Sequence, residues 1–246
     1  MPKSDSNKRH FIIVAVLVVI TTIAMGMILN GVLPLPEAAA TQASTVDWLF
    51  VVHMWLISFL FALVMVFMVY SMVVFRRGKR QDEGDHIEGN TMIEIVWTVI
   101  PLIVVVIFSY IGIQTLATVT NAPKDELVVK VQGFQWAWSF QYPNGTTNTE
   151  LVVPVNQNLD MEMNATDVIH SFWVPEWRVK QDLVPGLTTH VHFTPDKIGE
   201  YTLECNQICG LSHTIMVAKV RVVSQEEFTA WTQQQLVEQS QQTASK

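Results

Sequence analysis

The only two cysteines of this chain lie in one short run, Cys205-Asn206-Gln207-Ile208-Cys209-Gly210-Leu211-Ser212-His213-Thr214-Ile215-Met216. One loop therefore gathers two thiols, an imidazole and a thioether. Thiolate and thioether are soft donors, and together they favour copper over zinc, calcium or magnesium. A further imidazole, His170, sits in the apolar stretch Val168-Ile169-His170-Ser171-Phe172-Trp173-Val174. An inward-facing histidine among such residues needs a polar partner, and the cysteine loop can supply one.

Several sites could use these groups. Two cysteines in an exported domain most often form a disulfide, but the closely spaced His213 and Met216 weigh against that reading. A Cys2His2 set satisfies tetrahedral zinc and leaves Met216 with packing alone. A single blue-copper site takes one Cys, two His and a weak axial Met, so one thiolate is left over. Two copper ions bridged by both thiolates use every group: each takes one imidazole, one adds Met216, and the other adds a loop carbonyl. No open position remains for bond-making, and an electron shared over two metals in a rigid cage changes their geometry little. Electron transfer is the chemistry that suits such a cage.

The elements that must hold this loop are uneven in character. Half of the 246 residues are hydrophobic, and three long runs hold most of them: Phe11 to Leu29, Trp48 to Phe75, and about Ile95 to Val119. The first would span about 28 Å as a helix at about 1.5 Å per residue. In hydrocarbon such runs must be helical, because every backbone amide needs an internal partner. Basic residues cluster at Lys3, Lys8 and Arg9 and at Arg76, Arg77, Lys79 and Arg80, whereas residues 30–47 carry none. The positive-inside rule places both clusters in the cytoplasm, so residues 122–246 lie on the extracytoplasmic side. The first run is read as a retained span. Its competitor is a signal peptide ending near Ala38-Ala39-Ala40, which leaves that sidedness unchanged.

From Glu126 onward the pattern becomes short and β-branched. Leu127–Gln132, Trp136–Tyr142, Glu150–Val155, Leu159–Asn164, Val168–Val174, Thr188–Phe193, Tyr201–Glu204 and Met216–Val223 read as strands. Pro143-Asn144-Gly145, Pro185-Gly186 and Pro195-Asp196 are turn signals between them. Many short strands so punctuated indicate an antiparallel sandwich or barrel. The organisation expected is an N-terminal span with outer loop (1–47), a helical hairpin (48–121), a β domain (122–223) and a tail (224–246). That tail should begin as a short helix and end disordered, since Gln, Ser and Thr build no core. The formal net charge is −7, and without a basic patch on the soluble portion nucleic acid is not an expected partner.

The cysteine loop, following paired transmembrane helices, resembles subunit II of the haem–copper cytochrome c oxidases over roughly residues 48–223. Gln135-Trp136-Ala137-Trp138-Ser139, Asp167-Val168-Ile169-His170-Ser171-Phe172-Trp173-Val174-Pro175, Lys180-Gln181-Asp182-Leu183-Val184-Pro185-Gly186 and Glu94-Ile95-Val96-Trp97-Thr98-Val99-Ile100-Pro101 carry the same likeness. The resemblance implies a two-helix hairpin anchoring a cupredoxin-like Greek-key β-sandwich with a binuclear copper centre, CuA; with the extra N-terminal span read from the first apolar run, the fold class expected is a membrane-anchored all-β protein. By family pattern the ligands are His170, Cys205, Cys209, His213, Met216 and the main-chain carbonyl of Gln207. Trp136 matches the residue that takes electrons from cytochrome c, and Glu94 the glutamate at the mouth of a proton-uptake path. Acidic residues outnumber basic ones between 122 and 223, which suits a basic cytochrome c, with Asp167, Glu126 and Asp182 as docking candidates. Implied partners are the haem-bearing subunit I, which reduces oxygen and pumps protons, and subunit III. The implied location is the bacterial inner membrane with the copper domain in the periplasm.

Three departures accompany the likeness. Gln207 stands where the family usually has Glu, whose carboxylate binds magnesium or manganese against subunit I, and a neutral amide is a weaker ligand for a hard cation. Leu187 follows Pro185-Gly186 where Arg is usual, and the first span is an addition to the mitochondrial form. No Cys-x-x-Cys-His is present, so no fused c-type haem is expected. The related quinol-oxidase subunit, which lacks copper, is disfavoured by the retained ligands. A membrane-tethered copper-binding or copper-delivery protein is the alternative from another class.

Overall fold

A computed structural model describes residues 3–76 and 88–244. They form two compact units, one from Met1–Leu35 and Asp47–Gly112, the other from Pro36–Val46 and Ile113–Lys246.

Three helices dominate the first unit: α1 (Lys3–Val32), α2 (Ala43–Val74) and α3 (Thr91–Val119). Mean hydropathies of 2.9, 2.6 and 2.5 over Asn7–Val32, α2 and α3 make all three long and apolar enough to cross a membrane. They are apolar all round, the signature of a helix solvated by lipid or by other helices. Polar side chains inside them bond to their own backbone: His53 to the Leu49 carbonyl, Ser58 to Met54 and Thr98 to Glu94. That satisfies groups which hydrocarbon cannot. Between α1 and α2, Val14, Val18 and Ala62 form a small buried cluster, and Gly26 lies against the Trp55 ring, where a Cβ would come within 2.5 Å. α3 has no buried residue, and its first turn is capped by Asn90, whose side chain accepts the Met92 and Ile93 amides. Of the basic cluster that sets the orientation, Arg77, Lys79 and Arg80 lie outside the described residues.

The second unit is a β-sandwich of ten strands: β1 (Leu127–Phe134), β2 (Ala137–Gln141), β3 (Thr147–Asn148), β4 (Leu151–Pro154), β5 (Leu159–Ala165), β6 (His170–Val174), β7 (Val179–Leu183), β8 (Thr189–Phe193), β9 (Gly199–Cys205) and β10 (Val217–Val223). One sheet runs β3-β2-β1-β5-β8 and the other β4-β10-β9-β6-β7. Alternation does its usual work: β5 buries every second residue, so that Leu159, Met161, Met163 and Ala165 face the core and Asp160, Glu162 and Asn164 face out.

The expectation of an antiparallel sandwich needs correction at two pairings. β1 with β5, and β10 with β4, are parallel. The cause is the route of the chain. After β3 it crosses to the other sheet as β4 and returns as β5 beside β1, and such a crossover, unlike a hairpin, delivers a strand running the same way. β7 and the short β3 escaped the sequence pattern because neither alternates strongly.

Two other segments depart from expectation. Pro36–Val46, assigned with the first span, belongs to the sandwich unit. Ala39 and Ala40 are buried, the Ala39 amide donates to the Glu176 carbonyl at 2.8 Å, and Thr41 donates to Thr194 at 3.0 Å. Small side chains let this strap lie flat, and backbone bonds hold it as they would an added strand. The tail, expected to be a short helix with a disordered end, is helical over Gln225–Ala244, here α4. Phe228 is buried, Trp231 packs its edge on Tyr142 at 5.0 Å, and Gln235 bonds to Asn148 at 2.9 Å. Two aromatic anchors spaced i, i+3 dock the helix despite its polar composition.

Candidate metal centre

β9 ends at Cys205, opposite Phe172 of β6, and the loop that follows returns as β10. Both ends of the loop are fixed by backbone bonds: the Cys205 amide donates to the Met216 carbonyl at 3.1 Å and the Asn206 amide to Ser171 at 3.1 Å. The thiols are free, with sulfurs 3.7 Å apart, far beyond the ~2.05 Å of a disulfide. His213 opens a single 3-10 turn, His213–Ile215, which carries its Nδ1 to 3.5 Å from Cys209 Sγ. Met216, fully buried, places its Sδ 3.7 Å from the same sulfur. The Gln207 carbonyl lies 3.3 Å from Cys205 Sγ.

His170 joins from the start of β6, fully buried, with Nδ1 3.9 Å from Cys205 Sγ. Its ring fits because Gly133 has no side chain, since a Cβ there would stand 3.2 Å from His170 Cδ2. Its Nε2 bonds to Asp167 Oδ1 at 2.9 Å. A carboxylate at Nε2 keeps the proton there and leaves the Nδ1 lone pair facing the sulfurs, the arrangement that orients metal-ligating histidines. Asp167, expected as a docking charge, is thus bonded to the ring of His170 while its side chain stays partly exposed. Its other oxygen accepts the Gln135 amide at 2.6 Å, and the Val168 amide donates to Oδ1 at 2.7 Å. Burial pulls its pKa upward, but the bonds from His170, Val168 and Gln135 together hold it below the usual aspartate value.

The remaining expected residues fall in different places. Trp136, 38% exposed, lies over the loop, with Nε1 3.3 Å from where a Gly210 Cβ would stand. Glu94 is in the first turn of α3 and exposed, where a carboxylate is favoured by the helix dipole. Sequence reasoning missed three parts: Gly133, Gly210 and Gln135, whose side-chain amide donates to the Cys209 carbonyl at 2.8 Å. The Asp-x-x-His spacing and the Gln-Trp pair were visible signals, but only tertiary contact gives them work.

The donor set fits copper. Two sulfurs, an imidazole nitrogen and a thioether converge among buried residues, and Cys205, Cys209 and His170 form a group able to hold an ion. Burial first, then the neighbouring Cys205 thiol, pushes the Cys209 thiol up to about 11. Cys209 thus keeps its proton at neutral pH until a cation displaces it.

A cupredoxin-like sandwich in a chain with three helices apolar enough to cross a membrane, and with a group of soft donors able to hold an ion, defines a membrane-anchored protein with a candidate copper site. Comparison with known proteins narrows this. The family described as cytochrome c oxidase subunit II, transmembrane domain, matches residues 28–115, and the corresponding periplasmic domain matches residues 144–223. Cytochrome c oxidase subunit 2 of Thermostichus vulcanus is 30% identical over 81% of this chain and 78% of that protein. The subunit of the same name from Synechocystis is 31% identical over 87% and 79%. Among solved structures, the periplasmic domain of subunit II of cytochrome oxidase from Bradyrhizobium japonicum is 31% identical, covering 48% of this chain and 99% of its own, with a TM-score of 0.46. The chain belongs to the cytochrome c oxidase subunit II family.

Proposed function

We propose that this chain is the electron-accepting subunit of a cytochrome c oxidase, with a binuclear CuA centre held by Cys205, Cys209, His170, His213, Met216 and the Gln207 carbonyl. The observation that carries this reading is the pair of buried, unbonded thiols 3.7 Å apart, each with an imidazole nitrogen within 3.9 Å. When bound, two copper ions would supply a one-electron couple with little change of geometry. The chain's part is to keep that geometry: Asp167 fixes the His170 ring, β6 and β10 fix the loop ends, and burial excludes water. Trp136 is an exposed aromatic beside Gly210 of the cysteine loop, and Ile208, Leu211 and Ile215 on that loop are exposed apolar residues. A haem protein can dock on such a surface with its edge against the indole, steered by the domain's excess of acidic groups.

Electrons would pass onward to haem and copper in subunit I, where oxygen becomes water and protons are pumped. α2 and α3 would pack on that subunit, with subunit III in the same assembly, the sandwich facing the periplasm of a bacterial inner membrane. Glu94 would stand at the cytoplasmic mouth of a proton path, as intramembrane carboxylates do. With an amide at 207, a magnesium or manganese ion at the subunit boundary would be weakly held. The copper domain proper is residues 122–223, completed by the strap from 36 to 46, which makes the full chain the right specimen. Paramagnetic resonance of the copper-loaded full chain in detergent tests the reading. Hyperfine structure from two equivalent copper nuclei is expected. A one-nucleus pattern would overturn it in favour of a copper-delivery protein, a reading that the closed cage disfavours because delivery needs an exchangeable site.

A further inference from the structure

We propose that Glu126, Asp160 and His192 form a second metal site in this chain, for a divalent cation of the zinc class, with His190 positioning the Asp160 carboxylate. The site shares no residue with the sulfur cage and rests on no part of the copper reading. It lies on the outward face of the sheet that contains β1, β5 and β8. His190 and His192, two apart on β8, point to the same side. Asp160 of β5 pairs in register with His192, and Val128 of β1 pairs with Asp160. Glu126, two residues before Val128, therefore falls on the same face at the same end.

The side chains converge as the register predicts. His192 Nδ1 is 2.8 Å from Glu126 Oε1 and 3.9 Å from Asp160 Oδ1. One donor atom from each of the three lies within 4.8 Å of the others. His190 Nδ1 sits 3.0 and 3.1 Å from the two oxygens of Asp160, and its ring is parallel to that of His192, at an angle of 8°. The two carboxylate side chains are each 13% exposed. Two anions so close and so little hydrated repel each other, and a shared cation relieves both.

Oxygen and imidazole nitrogen together suit zinc, whose bonds to these donors are about 2.0–2.2 Å. An all-oxygen site would suit calcium or magnesium instead. Three protein ligands leave one position for solvent. The two histidines also line a recess of ≈ 370 Å³, which gives an ion a way in. An ion here would clamp β5 and β8 to the segment leading into β1, and because it binds the folded state only, it would raise stability by mass action.

The test uses the full chain in detergent, its sulfur cage loaded with copper beforehand so that thiols do not compete. Zinc chloride is titrated at neutral pH by calorimetry, with thermal unfolding followed in parallel. One zinc per chain and a higher unfolding temperature are expected, with the copper absorption unchanged. Asp160→Asn, Glu126→Gln and His192→Gln should each weaken zinc binding by about tenfold or more, and His190→Gln less than these. Cobalt(II) in place of zinc should give visible bands of a four-coordinate nitrogen–oxygen site, lost in His192→Gln. Zinc-free melting of each variant separates misfolding from lost ligation, and any one of the three that folds suffices. Absence of saturable binding, equal affinity in the folded variants, or zinc entering only by displacing copper would each overturn the proposal.

Discussion

Gly210 is the position where one methyl group should disturb the metal loop most. Its φ is +126°, a backbone conformation that L side chains rarely adopt. A Cβ there would lie 3.0 Å from Gln135 Nε2, 3.2 Å from Trp136 Cζ2 and 3.3 Å from Trp136 Nε1. Gly210→Ala therefore has two costs. Forcing the backbone accounts for about 1–3 kcal/mol, and moving the loop to relieve the crowding breaks the Gln135–Cys209 bond, about 1 kcal/mol more. The total is about 2–4 kcal/mol, which at about 4 °C per kcal/mol lowers the unfolding temperature by about 8–16 °C. Near-ultraviolet dichroism of the copper-free full chain measures this without interference from metal loss. Gly145→Ala is the control, since its φ is +86° but open space surrounds it, so only the backbone cost applies. In copper-loaded protein, Gly210→Ala should also shift the visible absorption, because Cys209 precedes it. If Gly210→Ala melts within about 2 °C of the parent and keeps its spectrum, the loop is not held as argued.

Asp167→Asn keeps the shape but loses the charge that fixes His170, and copper affinity should fall by about 10–100-fold, read by competition with a chelator. The same residue predicts an acid limit. Its pKa is depressed in the fold, so its contribution is present above the usual aspartate value of about 3.9 and is lost as pH falls through the lower folded value. The parent should therefore lose more stability than Asp167→Asn in that acid window. An identical acid profile for the two would refute it. Met216→Leu, which fills the same volume with a hydrocarbon, should retain two coppers by elemental analysis yet move the reduction potential; loss of both ions would contradict the role given to the thioether. Trp136→Phe should leave copper content and spectrum intact while slowing reduction by cytochrome c in stopped flow, and an unchanged rate would place electron acceptance elsewhere.

Much of this architecture is written in residue type and order. The three apolar runs dictate helices because backbone amides in hydrocarbon have no other partner. The cysteine loop announces a soft metal by composition alone; β5 follows from alternation, whereas β6 follows from a short apolar run, buried at four of its five positions. What could not be read locally is long-range. The parallel pairings of β1 with β5 and of β10 with β4 depend on the chain changing sheets, which no single strand records. The strap around Ala39 and Ala40 looks like a loop until the sandwich supplies backbone partners, and the later part of α4 looks disordered until Asn148 and Thr147 bond to Gln235 and Gln239.

The same division runs through the two clusters of ligating side chains. Sequence determined that Cys205, Cys209, His213 and Met216 stay together, because a short loop cannot separate them. Folding decided how His170 reaches the cysteines, that Asp167 bonds to its ring, and that Glu126, just before β1, meets Asp160 of β5 and His192 of β8. The physical reason is one of range: short segments fix which groups are available, but strand register across a packed sandwich sets which of them come within a bond length of a common ion.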